Sequence, residues 1–150
     1  VWIGKDGWDR SKVQGLRFKV MTVNRFEDLE IWQEARIVSK VVFQLTEKDP
    51  FRSDYKLKDQ IKGSSGSTMD NIAEGFERNG KGEFIQFLSI AKGSCGETRS
   101  QSYRAFDYEY ISKEELDDLV KRCTLLSRKI SSLMAYLKKS KLDGSKYKKP

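Results

Sequence analysis

The residues best suited to chemistry lie in the middle of the chain. Gly75-Phe76-Glu77-Arg78-Asn79-Gly80-Lys81 has the G-x-x-x-x-G-K spacing of a phosphate-binding loop. Such a loop needs a magnesium-binding Ser or Thr after the lysine and a strand before it. Gly82 stands in the first place and a helical pattern in the second. A helix-to-helix turn in which glycine supplies positive backbone angles accounts for the same residues. Glu74 and Glu97 are the next candidates, because paired carboxylates in a helical bundle can bridge two metal ions. Those centres also draw a Glu-x-x-His pair from their helices, and the chain has no histidine. Asn71, Glu74 and Glu97 are therefore expected to satisfy polar groups between helices and to fix their register.

The zero histidine count removes Ser-His and Cys-His nucleophiles, histidine metal sites and imidazole proton shuttles. A serine nucleophile would need another base, and no lysine is visibly placed for it. Cys95 and Cys123 are too few for a structural zinc site and are not in C-x-x-C spacing, so they read as small buried apolar residues. The sequence thus calls for no catalytic residue, no metal and no cofactor.

These residues must be positioned by a single domain, since 150 residues are enough for one core and too few for two ordinary ones. No stretch reaches the roughly 18 apolar residues of a membrane span, and the N-terminus has no secretion-signal pattern, so a cytoplasmic address is expected. The net charge of +7 is unevenly placed. Residues 1–24 carry five Lys/Arg against two Asp, and residues 141–150 carry four Lys against one Asp. Residues 25–140 carry twenty basic against nineteen acidic side chains. The basicity belongs to the ends, and basic tails suit polyanions. The expected division is an N-terminal extension at 1–24, a bundle at 25–140 and a basic tail at 141–150.

Periodicity gives the elements. Asn24 with Glu27 has capping-box spacing, and Phe26, Leu29, Trp32, Ala35, Val38, Val42 and Leu45 then recur at helical steps until Asp49-Pro50. A second stripe comprises Leu57, Ile61, Ser65, Thr68, Ile72 and Phe76, and a third Phe84, Leu88, Ala91, Cys95, Thr98, Ser102 and Ala105. Ser112-Lys113-Glu114-Glu115 is a clear start signal, after which Leu116, Leu119, Cys123, Leu126, Ile130, Leu133 and Leu137 keep a heptad seam. The spacing predicts helices at about 25–48, 53–78, 82–109 and 113–140, and hence an all-α, antiparallel up-down-up-down four-helix bundle with flexible basic tails.

The second and third helices are rich in small residues: Gly63, Ser64, Gly66 and Ser67 on one, Gly93, Ser94 and Gly96 on the other. Glycine costs a helix interior about 1 kcal/mol relative to alanine, which something must offset. Close approach of two helix backbones is the leading account, with a groove for a ligand or partner helix and a flexible break as alternatives. Tyr103, Phe106, Tyr108 and Tyr110 crowd the end of the third helix. They read either as a contact surface or as packing against the first helix near Trp32.

The segments 26–35, 71–78 (Asn71-Ile72-Ala73-Glu74-Gly75-Phe76-Glu77-Arg78) and 84–97 resemble the bacterial four-helix-bundle family found in the intervening sequences of 23S rRNA genes. The resemblance spans about residues 25 to 139. Its signature positions here are Asn71, Ala73, Glu74, Gly75, Gly93, Ser94 and Glu97. It implies a ring-like homo-oligomer such as a homopentamer, association with ribosomal RNA, and no established activity. The resulting expectation is a non-enzymatic bundle that binds structured RNA through Lys58, Lys62, Arg78, Lys81, Lys92, Arg99 and Arg104 and the tail residues Lys146, Lys148 and Lys149. The alternative is a structural or protein-interaction module without a nucleic-acid role.

Overall fold

The structure, a computed structural model, describes residues 23–78 and 80–139. The expectations for residues 1–22 and for the basic tail 141–150 lie outside the described residues. Four α-helices follow in order: α1 at Glu30–Thr46, α2 at Tyr55–Glu77, α3 at Lys81–Asp107 and α4 at Lys113–Lys139. Single 3-10 turns at Phe26–Asp28 and Phe51–Ser53 precede α1 and α2, and the described residues contain no strand. Ion pairs from Lys48 to Glu115 and from Lys129 to Glu30 set α1 antiparallel to α4. Contacts from Ser64 to Thr98 and from Ser67 to Ser94 do the same for α2 and α3. The bundle is up-down-up-down. The contact between α2 and α3 is the most extensive and that between α1 and α4 the thinnest.

The three later seams pack as the periodicity predicts. All the stripe positions of α2, α3 and α4 are buried, with Leu57, Ile61, Ile72, Phe84, Leu88, Leu119, Leu126 and Ile130 almost wholly removed from water. Ser112 and Glu115 form the reciprocal cap of α4: Ser112 N donates to Glu115 Oε1 at 2.9 Å and Glu115 N donates to Ser112 Oγ at 3.1 Å. The Ser112 N–H bond favours the charged Glu115 carboxylate, and with Lys48 beside it holds its pKa below the ordinary value. At α2, Asp54 Oδ1 accepts from Leu57 N at 3.0 Å and Oδ2 accepts from the Tyr110 hydroxyl at 3.0 Å.

The first helix starts later than its sequence suggests. Asn24 does not cap it; α1 begins at Glu30, preceded by Leu29 in an extended conformation. The physical reason is burial. The 3-10 turn at Phe26–Asp28 lets the chain swing Leu29 into the core at 3% exposure and brings Phe26 edge-on to Trp32 at 5.1 Å. Gln33 Nε2 closes the turn by donating to the Glu27 carbonyl at 2.9 Å.

The glycines also differ from expectation. A Cβ added at Gly63, Gly66, Gly93 or Gly96 would meet nothing within 4 Å, so these four do not mark a close approach of helices within the chain. Gly75 does. A Cβ there would lie 2.6 Å from Phe87 Cβ and 3.0 Å from the Phe84 ring, and Gly75 is buried inside α2 where it lets α3 start close by. The turn after it needs no positive angle at Gly80, which is extended at φ −130° and precedes α3. Among the described residues, the one in the left-handed region is Glu109, between α3 and α4.

Candidate nucleic-acid interface

Helix rotation decides which cations can act together. Lys62 turns toward α1, where its Nζ lies 3.8 Å from Glu47 and 5.1 Å from the Phe43 ring centroid. Lys58 lies over Tyr55 at 5.2 Å. Arg104 turns toward α2, its guanidinium donating to Gln60 Oε1 at 3.2 Å. Arg99 faces α4 and donates to the Thr124 hydroxyl at 3.3 Å. Arg78, after α2, pairs with Glu74 at 2.8 Å and lies 5.2 Å from the Phe87 ring; the Glu74 bond and charge hold its pKa above the ordinary arginine value. Lys81 opens α3 at that same end. The expected cations are therefore spread over several faces and do not form one patch, because steps along four helices point them in different directions. Lys146, Lys148 and Lys149 lie outside the described residues.

The signature residues separate in the same way. Ser94 is buried, and its hydroxyl lies 2.9 Å from that of Ser67. Asn71 Nδ2 donates to the Ser67 carbonyl at 2.8 Å, a bond within α2. Ala73 is half-buried, Gly75 is buried, and Gly93 and Glu97 are exposed. Glu74 and Glu97 do not sit between helices: Glu74 is spent on the exposed pair with Arg78, and Glu97 is on the surface. Hydroxyl residues join α2 to α3 instead. Ser64 donates to Gln101 Oε1 at 2.6 Å and lies 2.8 Å from the Thr98 hydroxyl. Short side chains reach across a tight contact that a carboxylate on two methylenes would force apart.

The aromatic residues at the end of α3 do not pack near Trp32. Trp32 is at the other end of α1, packed on Phe26. Tyr110 stacks on Phe51 at 5.1 Å, and its bond to Asp54 together with burial raises its pKa; the Leu57 N–H first, and then the Tyr110 hydroxyl, lower that of Asp54 against the opposing effect of burial. Tyr103 and Tyr108 keep about half of their surface exposed, at 48% and 50%. Cys95 and Cys123 are buried free thiols. Cys95 donates to the Cys123 carbonyl at 3.3 Å, and the neighbouring Cys95 thiol with burial pushes Cys123 up.

Two arrangements are not singled out by sequence reasoning. Lys129 is buried between α4 and α1, where its ammonium donates to Glu30 at 2.6 Å and to Glu34. Burial works against the charge, but the two carboxylates outweigh it and raise the pKa above the ordinary lysine value. The available signal is the four-residue spacing of Glu30 and Glu34 with a lysine beside the seam residue Ile130. The second arrangement is a segregation of charge. Residues 25–118 carry fourteen basic against nineteen acidic side chains; residues 119–139 of α4 carry six basic and no acidic ones. A concavity of about 660 Å³ lies on the outside of α4, lined by Leu125, Ser127, Arg128, Ser131 and Ser132, with Lys92 of α3. Among the described residues no group of three Cys, Asp or Glu is arranged to hold a metal ion, and no helix is long and apolar enough to cross a membrane.

Residues 27–132 match the family described as 23S rRNA-intervening sequence protein. The chain belongs to that family. A crystal structure of a protein of unknown function from the S23 ribosomal protein family of Bacteroides thetaiotaomicron is similar to this 23S rRNA-intervening sequence protein in fold. Its TM-score is 0.64 at 20% sequence identity, over 69% of this chain and 97% of that one. No curated protein matches the chain. The family match begins at Glu27, in the 3-10 turn before α1, and ends within α4.

Proposed function

We propose that the protein is a non-enzymatic, cytoplasmic bundle that associates with ribosomal or other structured RNA through its basic surface. The charge segregation carries this reading: an acid-free helix segment with six cations on a body that is otherwise net negative gives an anion one preferred side of approach. The family description, which ties its members to 23S rRNA sequence, supports the choice of RNA among polyanions. The same reading includes self-association into a ring such as a homopentamer, favoured by the exposed Ile37, Ile90, Tyr103 and Tyr108.

The test is binding of the whole chain to an RNA hairpin across a salt series. A slope of log affinity against log salt of about −0.7 to −0.9 per phosphate neutralised is expected. Removing residues 141–150 should weaken binding and flatten the slope while leaving helical content unchanged. Absence of binding at low salt would give the lead to a protein-interaction module, the reading favoured by the near-balanced charge of residues 25–140. Sedimentation at tens of micromolar reports on the ring, and a monomer alone would refute it.

A further inference from the structure

We infer that the outer face of α4, together with Lys92, receives the sugar–phosphate backbone of base-paired RNA. The inference rests on the RNA reading above and says where on the bundle the contact is made.

The first argument is alignment. Lys121, Arg128, Ser132 and Lys139 are spaced by seven, four and seven residues, steps that return to almost the same side of a helix with 3.6 residues per turn. That side is opposite Leu126, Ile130 and Leu133, which are buried. From Lys121 to Lys139 the stripe is about 27 Å long at 1.5 Å per residue. The second argument is availability. Of the six cations in 119–139, Arg122 is held by Asp118 at 2.8 Å and Lys129 by Glu30 and Glu34. Among the described residues no carboxylate pairs with Lys121, Arg128, Lys138 or Lys139, and none lines the concavity beside Arg128 and Lys92.

The third argument concerns what the concavity can recognise. Its polar lining is Lys92, Arg128, part of Lys129, whose ammonium is held by Glu30 and Glu34, and the hydroxyls of Ser127, Ser131 and Ser132. These are groups that bond phosphate oxygens and ribose hydroxyls. It contains no aromatic ring, so it offers no platform on which unpaired bases would stack. A straight rod of fixed charges suits a partner whose phosphates are also held in fixed positions. Base-paired RNA meets that condition and a flexible single strand does not.

The experiment measures fluorescence anisotropy of a labelled RNA hairpin and of an unstructured single strand of equal length, both with the full chain. Lys92→Glu with Arg128→Glu should weaken hairpin binding by about tenfold or more and flatten the salt slope by about two. Lys40→Glu with Lys56→Glu makes the same change of charge on α1 and α2 and should weaken binding by less than about threefold, a long-range effect only. All four side chains are exposed, and circular dichroism should be unchanged; Lys92→Gln with Arg128→Gln gives a milder loss in the same direction should the reversal disturb folding. Equal losses from the two pairs would overturn the assignment to α4 while leaving the RNA reading intact. Tighter binding of the single strand would overturn the base-paired partner. If the unaltered chain binds neither RNA at low salt, the RNA reading itself fails and this inference with it.

Discussion

Where α2 meets α3, the facing side chains are Ser64, Ser67, Ser94, Thr98 and Gln101, joined by hydroxyl bonds of 2.6–2.9 Å. Along α4 the core is closed by Leu116, Leu119, Leu126, Ile130 and Leu137, all 2% exposed or less. The first contact is made of small groups whose bonds must be satisfied, and the second of large groups whose volume must be filled. Both succeed because they fail differently. A small polar seam tolerates loss of volume and is sensitive to added atoms or missing partners. A leucine seam is sensitive above all to cavities.

The sharpest way to break the α4 side is Leu126→Ala, which should cost about 2–5 kcal/mol in urea unfolding through lost burial and a residual cavity. On the other side, Gly75→Ala adds one methyl group at 2.6 Å from Phe87 Cβ and should destabilise by about 1–3 kcal/mol, although alanine is the better helix former. A stabilised Gly75→Ala variant would show that α3 can withdraw freely. Thr98→Val keeps the volume and removes the hydroxyl facing Ser64, and should cost about 1 kcal/mol. If it were neutral, the α2–α3 contact would rest on shape alone.

The seams were legible because each repeats apolar or small residues at a helical step. Buried positions in α2, α3 and α4 follow from that repeat, as does the Ser112–Glu115 cap, whose partners are three residues apart. The start of α1 was not legible, since Asn24 and Glu27 satisfy the spacing rule while the burial of Leu29 decides the backbone. Nor was the assignment of roles to Glu74 and Glu97, which share helices with the serine ladder but point to water. Candidate cations could be identified by type, but their grouping depends on helix rotation. The acid-free run from Leu119 to Lys139 was the one readable sign of the α4 surface.

A third region sharpens the comparison, because the thin α1–α4 contact includes a buried charge. Lys129 has its pKa raised above the ordinary 10.5, so its pairing with Glu30 and Glu34 stabilises the fold fully below that value. The contribution is lost as pH rises through the raised folded-state value. Lys129→Met should therefore be less stable than the unaltered chain at pH 8, and the gap should narrow by pH 11 to 12. A gap independent of pH would mean that the lysine acts through its methylenes alone.

Asp54 has a consequence for the order in which the chain folds. Its carboxylate ties the N-terminus of α2 to Tyr110, 56 residues later, while the Lys48–Glu115 pair spans 67 and the Lys129–Glu30 pair 99. The α2–α3 hairpin closes over far shorter loops, 27 residues at Ser67–Ser94 and 8 at Phe76–Phe84, so it forms at lower entropic cost. Ties that close last are absent from the folding transition state and act mainly on the rate of unfolding. Asp54→Asn should then speed unfolding and leave refolding nearly unchanged, whereas Thr98→Val should slow refolding. The wide ties are thus latches on an assembled bundle, and the serine ladder is part of the template on which it assembles.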